Sequence, residues 1–124
     1  MKLLIIEDEK ALSEVLKEEF ESQNFEVSVA FDGAAGLKAM TVTIPEVVLL
    51  DLLLPKKDGF EVLTDMKRDK ALKHVPVIIL SNLAQNDDVK RGLALGADDY
   101  IIKTDFTLKD VVAKVQTIMA GKRH

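Results

Sequence analysis

The 124-residue chain has the length of one ordinary domain, and its 48% hydrophobic and 31% charged residues exclude an intrinsically disordered protein. A net charge of −4 argues against direct binding of nucleic acid, because phosphate contacts need a concentrated basic face. There is no cysteine and no apolar run long enough to span a membrane, so we expect a cytoplasmic protein without disulfides or thiolate metal sites.

The first third of the chain alternates short apolar runs with segments of helical spacing. Residues 3–6 form an apolar run that predicts a buried strand, and a second such run covers residues 27–30. Between them, apolar residues at i, i+3, i+4 and i+8 predict a helix with the buried stripe Leu12, Val15, Leu16 and Phe20. The turn signal Asp32-Gly33 then leaves room for a short helix at residues 34–40.

The alternation continues to the C-terminus. Two shorter helices are expected at residues 60–67, after the turn signal Asp58-Gly59, and at residues 88–95. Thr107 and Asp110 match a capping box at the start of a last helix. Three further strands are predicted by the apolar runs at residues 47–50, 77–80 and 100–102. The last helix has the apolar stripe Leu108, Val111, Val112, Val115 and Met119.

The order of these elements is (βα)5, which predicts an α/β fold. The strands are continuously apolar rather than alternating, so both faces of the sheet must be covered by helices. We therefore expect a doubly wound parallel five-stranded sheet with right-handed crossovers. Residues 1–124 are expected to form one domain, with no second domain, and the basic residues 122–124 to form a frayed tail.

Polar residues stand at four of the predicted strand ends. All strands of a parallel sheet end on the same edge, and open α/β sheets bind their ligands just outside it. These side chains should therefore meet in one pocket: Glu7 and Asp8 after the first strand, Asp51 after the third, Ser81 after the fourth and Lys103 after the fifth. Each has an ordinary structural explanation on its own, such as a helix start, a turn or a cap.

The acidic residues of this pocket predict a divalent-cation site. Two carboxylates ~5 Å apart repel each other by about 3 kcal/mol at an effective dielectric constant of ~20, and a third carboxylate adds to this. Such a group is tolerable only if it takes up protons or binds a cation. Hard oxygen ligands without Cys or His nearby suit Mg²⁺.

Four segments together resemble the receiver domains of two-component response regulators, and the resemblance covers essentially the whole chain. They are LLIIEDE at residues 3–9, VVLLDLLLPKKDG at 47–59, VIILSN at 77–82 and GADDYIIKTDF at 96–106. The resemblance implies the flavodoxin-like strand order 2-1-3-4-5. It also implies a signalling switch of a phosphorelay, not a turnover enzyme, that takes its phosphoryl group from a histidine kinase or a histidine phosphotransfer protein.

The resemblance also implies a role for each pocket residue. Asp51 would be the phosphoacceptor, and Glu7, Asp8, Asp51 and the backbone carbonyl of Leu53 would hold Mg²⁺. The hydroxyl of Ser81 would donate to the phosphoryl oxygens, and Lys103 would pair with them; this chemistry agrees with what phosphoryl transfer requires of a protein.

The same resemblance implies that phosphorylation changes one face of the domain, and that this face controls a protein partner. Ser81 and Tyr100 would be the switch residues, and the face of the fourth helix, fifth strand and fifth helix would carry Val89, Lys90 and Leu93 to a partner. Core packing is an equally good explanation of Leu93. The partner would be an effector protein or an output domain, and homodimerisation on phosphorylation is possible.

Two features depart from, or particularise, the family pattern. Thr104 stands where the family has a proline after a cis peptide bond, and a cis bond before Thr would cost ~2.5–4 kcal/mol. We predict either a trans bond with a shift of Lys103 or a strained cis bond. Leu53 and Leu83 occupy the positions two beyond Asp51 and Ser81. Apolar side chains cannot orient an attacking water, so we expect slow hydrolysis of the acyl phosphate.

Two other functions are compatible with parts of the pattern. A phosphatase of the haloacid dehalogenase type also uses a strand-end Asp and Mg²⁺, but it needs a second Asp where Leu53 stands. A pseudo-receiver would be an interaction module that is never phosphorylated. The complete acidic set, together with Ser81 and Lys103, argues against that alternative.

Overall fold

A computed structural model describes residues 1–122, with Lys122 described by its backbone only. The strands are β1 (Lys2–Ile6), β2 (Glu26–Ala30), β3 (Val47–Leu50), β4 (Val77–Ser81) and β5 (Asp99–Ile102). The helices are α1 (Lys10–Ser22), α2 (Gly33–Val42), α3 (Gly59–Arg68), α4 (Asn86–Ala94) and α5 (Leu108–Lys122), and a 3-10 turn covers Lys103–Asp105. The prediction of a frayed tail was wrong for Lys122, which is the last residue of α5, and Arg123 and His124 of that tail lie outside the described residues.

The five strands form one parallel sheet in the order β2-β1-β3-β4-β5, so the predicted fold class and strand order are confirmed. The register aligns the carboxyl ends of neighbouring strands. Ile6 of β1 lies opposite Ala30 of β2 on one side and Leu50 of β3 on the other, and Ser81 of β4 lies opposite Ile102 of β5. Residues that follow these strands therefore emerge along a common edge.

The sheet buries an apolar layer on each face. Because strand side chains alternate, Leu4 and Ile6 pack towards α2 and α3, while Leu3 and Ile5 pack towards α1 and α5. Such burial of apolar area supplies most of the free energy of folding. Among residues 1–122, no helix combines the length and the apolar composition needed to traverse a lipid bilayer.

Helix α1 differs from its predicted stripe at one position. Val15 is 41% exposed, whereas Leu16 and Phe20 are buried as expected and Leu12 packs against the same core. The buried place belongs to Ser13, whose hydroxyl donates to the carbonyl oxygen of Lys10 at 2.9 Å. That hydrogen bond satisfies the hydroxyl inside the protein, so a serine can face the sheet there. The prediction for Val15 was wrong.

The start of α5 confirms the predicted capping box. The Asp110 N–H donates to Thr107 Oγ1 at 3.2 Å, and the Thr107 N–H donates to Asp110 Oδ2 at 3.2 Å. Both side chains thus satisfy backbone donors that a helix leaves unpaired in its first turn. The chain therefore turns sharply out of the loop after β5 and brings α5 back over the sheet beside α1.

Candidate functional site

Three carboxylates meet at the carboxyl edge of β1 and β3. Glu7 and Asp8 follow β1, Asp51 follows β3, and the Asp51 N–H donates to the carbonyl oxygen of Ile6 at 3.0 Å, which extends the pairing of the two strands by one residue. One oxygen from each carboxylate lies within 4.8 Å of the others. Glu7 and Asp51 are buried and Asp8 is exposed, so the cluster has one side open to solvent.

Lys103 reaches the same cluster from the 3-10 turn after β5. Its Nζ lies 2.6 Å from Glu7 Oε1 and 2.8 Å from Asp51 Oδ2. A third carboxylate oxygen, Oε2 of Glu9, lies 3.8 Å from the same nitrogen. The ammonium group is thus shared by three acidic residues, two of them buried. No peptide bond in residues 1–122 is cis, so the bond after Lys103 takes the trans form, the first of the two predicted alternatives.

Burial and charge act in opposite directions on the site. Burial raises the pKa of Glu7, and the negative charge of Asp51 adds to this rise, which outweighs the hydrogen bonds from Lys103 and the Glu9 N–H. Burial lowers the pKa of Lys103, but its hydrogen bonds to Asp51 and Glu7 outweigh that effect, so its pKa is raised. The site therefore favours the charged form of Lys103 while it opposes ionisation of Glu7.

The loop after β3 is held by close backbone packing. The Leu53 N–H donates to Asp51 Oδ1 at 3.2 Å and orients the carboxylate. Gly59, the first residue of α3, donates its N–H to the carbonyl oxygen of Leu52 at 3.0 Å. A Cβ on Gly59 would collide with the Asp51 carbonyl oxygen and would lie 2.6 Å from Leu52 Cα. Only glycine permits α3 to begin this close to Asp51.

Ser81 and Tyr100 are linked through one residue, Leu83. Ser81 is buried at the end of β4, and the Leu83 N–H lies 3.4 Å from its Oγ. The Tyr100 hydroxyl donates to the Leu83 carbonyl oxygen at 2.6 Å. Burial raises the pKa of Tyr100 to about 12, and the charges of Asp88 and Asp51 add to the rise. The tyrosine hydroxyl is therefore held inward on the loop that follows Ser81.

The donor set suits a divalent cation. Three carboxylates offer hard oxygen ligands within the distance that one ion spans, and within residues 1–122 Glu7, Asp8 and Asp51 are the group that meets this condition. The open side at Asp8 leaves room for water or phosphate oxygens. The sequence analysis did not anticipate the contact of Glu9 with Lys103, although Glu9 belongs to the same acidic run as Glu7 and Asp8.

A family model described as "Response regulator receiver domain" matches residues 3–116. The chain belongs to the response regulator receiver domain family. Its receiver domain is 35% identical over 118 residues to the "DNA-binding dual master transcriptional regulator RpaA" of Synechocystis, covering 95% of this chain and 48% of the relative. It is 37% identical over 116 residues to the "Transcriptional regulatory protein DltR" of Streptococcus agalactiae, covering 94% of this chain and 50% of the relative.

The receiver domain thus spans about half the length of these curated relatives. Similar solved structures match this chain over most of their own length as well. A receiver domain from Francisella superposes with a TM-score of 0.89 at 29% identity and 98% coverage of both chains. The Mn²⁺-bound form of the response regulator Rcp1 gives 0.81 at 34% identity, with 94% of this chain and 90% of that chain covered. The phosphorylated cyanobacterial phytochrome response regulator RcpA gives 0.82 at 32%, with 94% and 89% covered.

Proposed function

We propose that this receiver domain is a phosphorylation-activated switch that accepts a phosphoryl group on Asp51. The observation that carries the proposal is the environment of that carboxylate. It is 4% exposed, it follows the central strand β3, its Oδ2 lies 2.8 Å from Lys103 Nζ, and its Oδ1 accepts the Leu53 N–H. Burying a carboxylate costs free energy even beside a cation, and a nucleophile for phosphoryl transfer needs that arrangement.

The donor is a phosphohistidine of a histidine kinase or of a histidine phosphotransfer protein. An Asp51 carboxylate oxygen attacks the phosphorus as the bond from phosphorus to the histidine nitrogen breaks. The electron pair of that bond goes to the imidazole, and the product on this chain is an acyl phosphate. Lys103 pairs with the phosphoryl oxygens and the Ser81 hydroxyl donates to them, so both stabilise charge that develops during the transfer.

Glu7, Asp8, Asp51 and the carbonyl oxygen of Leu53 are the groups that would hold Mg²⁺ here. Bound there, the ion supplies positive charge beside the phosphoryl oxygens. The carboxylate geometry supports this assignment, as does the Mn²⁺-bound form of the relative Rcp1. The phosphorylated structure of RcpA supports the modification itself.

The signal leaves through the face formed by α4, β5 and α5. A phosphoryl group adds roughly two negative charges. Movement of Ser81 towards it would break the contact with the Leu83 N–H, and Leu83 also binds the Tyr100 hydroxyl. Leu93 is 45% exposed, so core packing does not explain it, and with Val89 and Lys90 it would meet an effector protein or an output domain.

The domain itself is proposed to act as a switch and not as a turnover enzyme, and protein contacts rather than DNA contacts of this domain are proposed to carry the output. The relatives RpaA and DltR are transcriptional regulators, which supports an output function elsewhere in such proteins. Homodimerisation on phosphorylation is also part of the proposal. Its readout is the molar mass in solution before and after phosphorylation.

The direct test is phosphorylation by acetyl phosphate with Mg²⁺, followed by mass spectrometry of the intact protein and its peptides. Wild type should gain one phosphoryl group on the peptide that contains Asp51, and excess chelator should prevent the gain. Asp51→Asn should gain none. Asp87→Asn, which changes an exposed aspartate in the first turn of α4, should behave like wild type. A wild-type protein that stays unmodified would make the pseudo-receiver the better description.

A further inference from the structure

Among the described residues, three carboxylates lie within 4 Å of Lys103 Nζ, and Glu9 is the exposed one of the three. Its side chain is 64% exposed, compared with 3% for Glu7 and 4% for Asp51. Its Oε2 lies 3.8 Å from Lys103 Nζ, and its own N–H donates to Glu7 Oε2 at 3.0 Å. That backbone hydrogen bond ties the position of Glu9 to the buried acids, so its charge stays close to the mouth of the site.

The Glu9 side chain has no capping role that explains its position. It directly precedes α1 in extended conformation, and its side chain makes no cap hydrogen bond to the helix. Glu7 and Asp51 already hold Lys103 at 2.6 and 2.8 Å, so Glu9 is not needed to fix the ammonium in the resting site. Glu9 therefore places a negative charge beside Lys103, the lysine that would pair with the phosphoryl oxygens.

We propose that Glu9 is a positioning residue that competes with the phosphoryl group for Lys103 and so limits how tightly the site holds the phosphoryl group. The inference rests on the proposed phosphorylation of Asp51. When dianionic phosphoryl oxygens arrive, Lys103 must turn from carboxylates towards them, and Glu9 offers the ammonium an alternative partner. The same charge repels small anionic donors as they approach. Both effects act in the same direction, against phosphorylation.

The test compares Glu9→Gln with wild type and with Glu14→Gln, which removes another exposed carboxylate further along α1. The probes are beryllofluoride with Mg²⁺, measured by calorimetry, and acetyl phosphate, measured as the second-order rate of phosphorylation. Glu9→Gln should bind beryllofluoride about two- to fivefold more tightly and react faster by a similar factor, the range expected for one exposed ion pair. Glu14→Gln should match wild type.

Salt and a conservative variant separate competition from a structural effect. The difference between Glu9→Gln and wild type should shrink as the salt concentration rises, because the pair is exposed. Glu9→Asp keeps the charge and should stay close to wild type. A helix role alone would change the thermal stability of Glu9→Gln but leave the affinity for beryllofluoride unchanged, and that result overturns the inference.

The remaining outcomes are also decisive. If Glu9→Gln binds beryllofluoride no better than Glu14→Gln, or binds it more weakly than wild type, competition for Lys103 is refuted. If wild type neither binds beryllofluoride nor gains phosphate on Asp51, the proposed function itself fails. If Glu9→Gln and Glu14→Gln are both phosphorylated and behave alike, only the inference about Glu9 fails.

Discussion

Replacing Lys103 by methionine removes the cation of the site while it keeps most of the side-chain volume. The side chain of Lys103 is 13% exposed and its Nζ contacts the buried acids Glu7 and Asp51, so water cannot replace the ammonium freely. Removing one partner of a buried ion pair leaves an uncompensated charge, which typically costs 3–5 kcal/mol. We therefore expect a large loss of stability in the absence of divalent cations.

The geometry of the acids sets the size and the pH dependence of the loss. The oxygens of Glu7 and Asp51 within 4.8 Å of each other would repel by about 3 kcal/mol at an effective dielectric constant of ~20. A proton on Glu7 removes this repulsion. Glu7 is the acid expected to take up the proton, because its pKa is raised above the ordinary value of 4.5. The cost of keeping Glu7 protonated in the fold is measured against the unfolded chain, where a glutamate with the ordinary pKa of 4.5 costs about 3.4 kcal/mol to protonate at pH 7 and about 0.7 kcal/mol at pH 5.

The direction of the pH dependence follows from the number of protons that the folded and unfolded states bind. The raised pKa belongs to the folded state, so the folded variant holds more protons than the unfolded chain above pH 4.5. Stability is then full below that pH and falls as pH rises through the folded pKa. We expect Lys103→Met to lower the free energy of unfolding by about 3 kcal/mol at pH 7 and by about 1 kcal/mol or less at pH 5.

Urea denaturation followed by circular dichroism, with a chelator present, measures both values. Lys109→Met, at an exposed position of α5, is the control and should cost less than about 0.5 kcal/mol at either pH. A loss of the same size at pH 5 and pH 7 would refute the electrostatic argument, because that argument requires protonation of Glu7 to relieve the repulsion at the lower pH. An unchanged stability at pH 7 would show that the buried acids do not need Lys103.

Three further predictions concern the surroundings of the site. Tyr100 is the only tyrosine and there is no tryptophan, so an alkaline absorbance titration should give a midpoint near 12 for the folded protein and about 10 for the unfolded chain. The free energy of unfolding should fall as pH rises through this range. Equal midpoints would contradict the effect of burial on the Tyr100 hydroxyl. Gly59→Ala should lower the free energy of unfolding in urea by about 1–3 kcal/mol because its Cβ meets backbone, whereas Gly121→Ala, in open space, should change it by under about 1 kcal/mol. Leu53→Asn should shorten the lifetime of the phosphoryl group on Asp51, measured after removal of the donor, because an amide can orient water; an unchanged lifetime would contradict this.

The sequence predicted the parallel sheet and its polar edge because both follow from simple rules. Continuous apolar runs require a sheet covered on both faces, and parallel strands must end on one edge. These rules brought Glu7, Asp8, Asp51 and Lys103 together before any distance was known. In the structure the three carboxylates lie within 4.8 Å of one another, and Lys103 contacts two of them, Glu7 and Asp51. Their roles in phosphoryl transfer are still predictions, because geometry alone does not demonstrate a reaction.

The remaining details depend on tertiary contacts that one-dimensional patterns do not contain. Helical periodicity could not decide between Ser13 and Val15, because a serine satisfied by its own helix is as acceptable inside as a valine. The 3-10 turn at Lys103 arises where β5 ends and the chain bends towards α5. The contact of Glu9 with Lys103 depends on where the extended residue before α1 places its side chain, which the rule for strand ends does not determine.

The position of each strand in the sheet divides the site into two unequal halves. Glu7 and Asp51 stand at the ends of β1 and β3, which have neighbours on both sides, whereas Lys103 follows β5, which lies at the edge of the sheet beside β4. Edge elements open at a smaller free-energy cost than interior ones. Local opening of β5 would carry the positive charge away and leave the buried acids in place, so we expect the cationic part of the site to open more readily than the anionic part.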